Sequence, residues 1–85
     1  MKKDEFLKRV QGLKEHLGGW EIVVDHLDKG EYILGCYYDN EDCTWKVYIN
    51  EERGLQSIRL STPIEDKAFD KLFSIVEFEY RIINR

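Results

Sequence analysis

The chain predicts an α+β domain: a helix, a three- to four-stranded antiparallel meander and a second helix, with both helices packed on one face of the sheet. Three observations carry this expectation. Residues 30–39, 45–50 and 55–61 are aromatic and β-branched runs separated by short polar turns, Asn40 to Thr44 and Glu51 to Gly54, too short for a parallel crossover. Before and after these runs, apolar residues recur at helical spacing instead. A length of 85 residues, 42% hydrophobic and 35% charged, fits one domain, 1–85, close to the lower size at which a core holds without staples.

The first helix is expected over Asp4 to Leu17, where Phe6, Leu7, Val10, Leu13 and Leu17 form one stripe among charged residues. Asp4 reads as its N-cap, Gly18-Gly19 as its left-handed stop, and Gly12 as a point of close packing against the sheet. Trp20 to Leu27 reads as a short fourth strand, turned by Asp28-Lys29-Gly30 into an antiparallel hairpin in which Gly30 takes positive φ. The Tyr32 strand is apolar on both faces, as a strand in mid-sheet should be. In the next strand Trp45, Val47 and Ile49 face the core, whereas Lys46, Tyr48 and Asn50 face the open side. Ile58 and Leu60 then face the core, and Ser57 and Arg59 join the open side. Thr62-Pro63-Ile64-Glu65 starts the second helix, with Thr62 as cap and Glu65 closing a capping box. Ile64, Ala68, Leu72 and Ile75 or Val76 line its buried stripe. Phe78, Ile82 and Ile83 exceed what one sheet face needs, so they suit either an embedded C-terminal helix or a homodimer contact.

Charge and motif content narrow the function classes. A formal charge of −4 and scattered basic residues do not give the dense positive field that nucleic acid requires. No apolar run approaches the roughly 18 residues of a membrane span, and no signal peptide precedes the domain, so the chain reads as cytoplasmic. Cys36 in an apolar strand and Cys43 on a loop are then expected to be reduced thiols, Cys36 being a small core residue. His16, His26, Cys36 and Cys43 have no metal-site spacing, and no cofactor motif is present. Cys43 is the one candidate nucleophile, but it lacks a Gly-rich nest or helix N-terminus beside it, so the expectation is not an enzyme.

What remains is a protein partner. Asp39, Glu41 and Asp42 gather in one hairpin loop and Glu51 and Glu52 in the other, at opposite ends of the sheet. With Tyr37, Tyr38 and Tyr48 they would give aromatic anchors with an acidic rim, suited to a basic protein.

The stretch Trp45-Lys46-Val47-Tyr48-Ile49-Asn50-Glu51-Glu52-Arg53-Gly54, followed by a strand and then Glu65-Asp66-Lys67-Ala68-Phe69, resembles small bacterial immunity proteins of polymorphic-toxin systems. The resemblance covers roughly residues 30–75 and rests on Trp45, Glu52, Arg53 and Gly54. It implies a non-enzymatic inhibitor that binds a cognate toxin and blocks its active site or substrate path. Arg53 and Gly54 also suit a tight turn, with Gly54 where positive φ is needed. The other expectation is a structural or homodimeric accessory protein of phage or mobile-element origin, which would use the open sheet face or the terminal helix.

Overall fold

The computed structural model describes residues 1–85. The chain is an α+β fold with the order α1 (Lys3–Val10), β1 (Glu21–Val23), β2 (Ile33–Asp39), β3 (Thr44–Asn50), β4 (Gln56–Thr62) and α2 (Glu65–Ile83). The four strands form one sheet in sequence order. Phe6, Val10 and Leu17 from the N-terminal segment meet Leu34, Cys36, Val47 and Ile49 from the sheet and Ala68, Phe69, Leu72 and Val76 from α2 in a single core.

The sheet is mixed, not wholly antiparallel. The β2–β3–β4 meander is antiparallel as its short turns require, but β1 runs parallel to β2, with Glu21 opposite Ile33 and Val23 opposite Gly35. The expected 28–30 hairpin is absent. Instead residues 24–32 form a strap that leaves the end of β1, crosses the sheet and returns to start β2 in the same direction. The strap is fixed by side chains of the meander. The Tyr48 hydroxyl donates to the His26 carbonyl and accepts from the Asp28 N–H, both at 3.0 Å. The Asn50 amide donates to the carbonyls of Asp28 (2.7 Å) and Gly30 (3.0 Å), and its own oxygen accepts from Gln56 at 2.9 Å. Gly30 does not take positive φ; Tyr32 does, at 56°.

Tyr48 and Asn50, expected on the open side, are therefore fully buried. Gly35 makes this possible. It lies opposite Tyr48 in the ladder, and a β-carbon there would stand 2.1 Å from the Tyr48 ring, which instead passes over bare backbone.

A second difference lies in β4. Leu60 pairs with Val47 and shares the core side, but the ladder shifts there, so Ile58 rather than Arg59 opposes Tyr48. A bulge of one residue exchanges the faces of everything beyond it. Ile58 consequently lies on the side away from the helices and is 47% exposed, and Ser57 moves to the helix side opposite Ile49, with Arg59 bonded to it.

The helices also end differently from expectation. α1 stops at Val10, and a turn at Gln11–Leu13 leads into one turn of 3-10 helix, Lys14–His16, which carries Leu17 into the core. Gly12 has open space where a β-carbon would be, so its role is to interrupt the helix and not to pack closely. Gly18 does adopt the left-handed conformation, at φ 63°. The cap of α1 is Lys2, not Asp4, and the Lys3 N–H donates to the Glu65 carboxylate at 3.0 Å. Glu65 thus closes the N-terminus of the other helix instead of a capping box on its own. Thr62 accepts from the Ile64 N–H at 3.1 Å, and Ile64 occupies the cap position of α2.

Candidate functional site

The β2–β3 hairpin brings together most of the residues that the sequence nominates for a partner. Strand alternation places Tyr38 on the helix side, edge-on to Trp45 at 5.2 Å, and Trp45 in turn edge-on to Phe69 at 5.6 Å. The stack runs from the core to the surface. Tyr38, its outermost ring, is 41% exposed. Cys43 stands beside it at φ 59° and, with partial burial and the Asp42 charge, raises the Tyr38 hydroxyl above the ordinary tyrosine range. Tyr37 lies on the other face, half-buried and edge-on to Tyr48 at 5.8 Å.

Around these rings the carboxylates are only partly neutralised. Asp39 accepts from the Glu41 N–H at 2.9 Å, which shapes the turn. Lys46 donates to Asp42 at 2.6 Å and lies 3.3 Å from Asp39, and Thr44 also donates to Asp42 at 2.6 Å. The bond from Lys46, joined by that from Thr44, holds the Asp42 carboxyl below its usual range, and Asp42 and then Asp39 raise Lys46 above its own. Glu41 is exposed and has no ion pair. Asp39, Glu41 and Asp42 against Lys46 leave this end of the sheet two charges negative.

Lys46 is the neighbour of these carboxylates that sequence reasoning placed only as an open-side charge. The signal was present. Asp39 opposes Thr44 across the hairpin, and period-two alternation puts Lys46 on the same face as Thr44.

Tyr48 does not join this surface; its ring lies under the strap. Glu51 and Glu52 stand at the far end of β3, about 20 Å along the strand. There residues 52–54 form a tight turn with both Arg53 (φ 63°) and Gly54 (φ 72°) left-handed, and the Glu51 N–H donates to Leu55 O at 2.8 Å. A β-carbon at Gly54 would stand 3.1 Å from the Lys29 carbonyl, so the turn packs on the strap. Glu51 also borders an open hollow of about 310 Å³ between α2 and the sheet, with Trp20, Ile49, Ile75 and Phe78 as apolar lining and Arg59 and Glu79 at the rim.

The remaining chemistry-bearing side chains are dispersed. Cys36 is in the core, where burial pushes its thiol up to about 12; Cys43 is exposed, and both are free. His16 stands edge-on to Tyr80 and His26 lies 3.6 Å from Asp28. No group of three or more His, Cys, Asp or Glu side chains is placed to hold a metal ion. No helix is long and apolar enough to cross a membrane. Comparison with protein-family models, with curated proteins and with solved structures finds no significant match to this chain.

Proposed function

We propose that the protein is a non-enzymatic interaction module of the immunity type, which holds a basic partner, most concretely a toxin, against the β2–β3 hairpin. The observation that supports this reading most is Tyr38: a ring exposed at its rim and backed by Trp45 and Phe69, on a hairpin whose Asp39 and Asp42 share Lys46 and whose Glu41 has no ion pair. Such a ring offers contact area at small entropic cost, because its stack is already ordered. The excess negative charge steers a basic surface towards it.

The test is affinity capture of the partner followed by binding kinetics on the purified pair. One basic partner molecule per chain is expected. The double variant Glu41→Lys, Asp42→Lys should lower the association rate about tenfold and flatten its salt dependence, and Tyr38→Ala should mainly raise the dissociation rate. Both variants should keep the parent's circular dichroism spectrum, with a melting temperature a few degrees lower from the lost Tyr38–Trp45 packing or the lost Lys46–Asp42 bond. A complex whose rates are the same in all these variants would refute the assignment.

A further inference from the structure

The hollow between α2 and the sheet lies beyond the far end of β3 from the hairpin, and its walls and rim differ in chemistry. The walls are apolar: Trp20 from the turn before β1, Ile49 from β3, and Ile75 and Phe78 from α2. The volume of about 310 Å³ falls at the lower end of the roughly 300 to 1,000 Å³ of small-molecule pockets. Arg59, Glu51 and Glu79 supply the charges at the rim.

Arg59 is there because of the β4 bulge. Strict alternation from Leu60 would turn residue 59 to the strap side of the sheet. Instead the ladder passes from the Leu60–Val47 pair directly to Ile58–Tyr48, and the extra residue, Arg59, points with Ser57 to the helix side. Bulges re-aim side chains in this way beside binding and active sites. The Arg59 Nε donates to the Ser57 hydroxyl at 3.0 Å, which orients the guanidinium while its two terminal nitrogens have no partner in the protein.

Opposite charges thus line one hollow without closing on each other. The arginine ion pairs of the molecule are Arg9–Glu5 and Arg81–Glu77, so Arg59, Glu51 and Glu79 all stand unpaired. A lone organic cation would be set against Arg59, and a lone carboxylate or phosphate against two glutamates. A small molecule that carries both signs beside an apolar body meets neither penalty. We infer that the hollow binds a free α-amino acid with an apolar side chain. Its carboxylate takes both terminal nitrogens of Arg59, in the fork geometry that a guanidinium offers. Its ammonium, with three donors, bonds Glu51 and Glu79. The side chain lies among the apolar walls and covers part of Phe78, which is otherwise 60% exposed. The terminal residue of a peptide carries only one of the two charges, so it fits less well.

Titration of the full chain with L-phenylalanine, followed by NMR at the two indole N–H groups, tests this. The Trp20 resonance should shift saturably, with a dissociation constant of about 1 mM or tighter, whereas Trp45, packed on Phe69 outside the hollow, should not respond. Phenethylamine, which lacks the carboxylate, and hydrocinnamate, which lacks the ammonium, should each bind about tenfold more weakly or worse. Arg59→Gln should weaken L-phenylalanine by a similar factor and leave phenethylamine no weaker; Glu79→Gln should weaken L-phenylalanine and leave hydrocinnamate no weaker. Both variants should keep the parent's circular dichroism spectrum, since neither side chain is in the core. No saturable shift of Trp20 up to about 20 mM L-phenylalanine overturns the proposal. So does equal affinity for the three probes, or a loss in Arg59→Gln that falls as heavily on the amine as on the amino acid.

Discussion

A β-carbon at position 35 and the ring of Tyr48 cannot occupy the same space, since they would stand 2.1 Å apart. Gly35→Ala should therefore expel the ring, leave the His26 carbonyl and Asp28 N–H without their partner, and cost more than about 3 kcal/mol in urea unfolding. In a Tyr48→Ala background the same change should cost well under half as much, because the clash is then gone. Sequence reading could not reach this. Gly35 sits among apolar residues and looks like a weak point in a strand, and Tyr48 alternates with Val47 and Ile49 as a surface residue would. What buries Tyr48 is a strap some 20 residues away in sequence, and no local pattern encodes its position. Residues whose role is local were legible: Gly54 takes positive φ, Gly18 ends its turn left-handed, and Cys36 is a core side chain.

At the level of elements, the meander was readable and its edges were not. Each β-turn of the meander is four or five residues long, which forces antiparallel pairing, and β3 alternates cleanly. The connection from β1 to β2 is longer and rich in turn-forming residues, equally compatible with a hairpin or with a wide return. Tyr48 and Asn50 decide between them by bonding the strap's main chain. On β4 the bulge falls in a stretch, Ser57-Ile58-Arg59-Leu60, where strict alternation looks faultless; only the pairing with β3 reveals that the faces exchange. The strap and the 52–54 turn also lean on one another. Gly54→Val should strain the backbone at φ 72° and press a side chain on the Lys29 carbonyl, lowering the melting temperature by several degrees. A melting temperature within one degree of the parent would show that the contact with the strap contributes little. Of the nominated partner residues, Tyr37, Tyr38, Asp39, Glu41 and Asp42 share one hairpin and were legible as a group, because nearness in sequence and in space coincide there.

The molecule measures 38 × 29 × 16 Å, a slab one helix layer and one sheet layer thick. In so thin a body, two buried acidic groups have a global effect. Burial raises the Cys36 thiol from an ordinary 9.0 to about 12, and burial is also the main cause that raises the Tyr48 hydroxyl. Both groups bind their protons more tightly folded than unfolded. The stability that their neutral forms contribute is complete below the unfolded values and is lost as pH rises through the folded ones. Unfolding free energy should thus decline from about pH 9 upward, by up to about 1.4 kcal/mol per pH unit for each group in its window. Cys36→Ala should remove the thiol's share of that slope, as measured by urea titrations at successive pH values; an identical slope would show that Cys36 does not set it.

The middle of the strap is gripped by its main chain: the carbonyls of His26, Asp28 and Gly30, the Asp28 N–H, and the Lys29 carbonyl against Gly54. Side chains anchor its two ends: Val24 enters the core, Asp25 pairs with Lys3, and Tyr32 stands edge-on to Trp20 at 5.5 Å, while the Asp28 carboxylate accepts from the Gly30 N–H. The exposed middle positions Lys29 and Glu31 can therefore exchange residue types while the backbone path stays the same. The middle of this loop can change its wording without disturbing the frame that displays it.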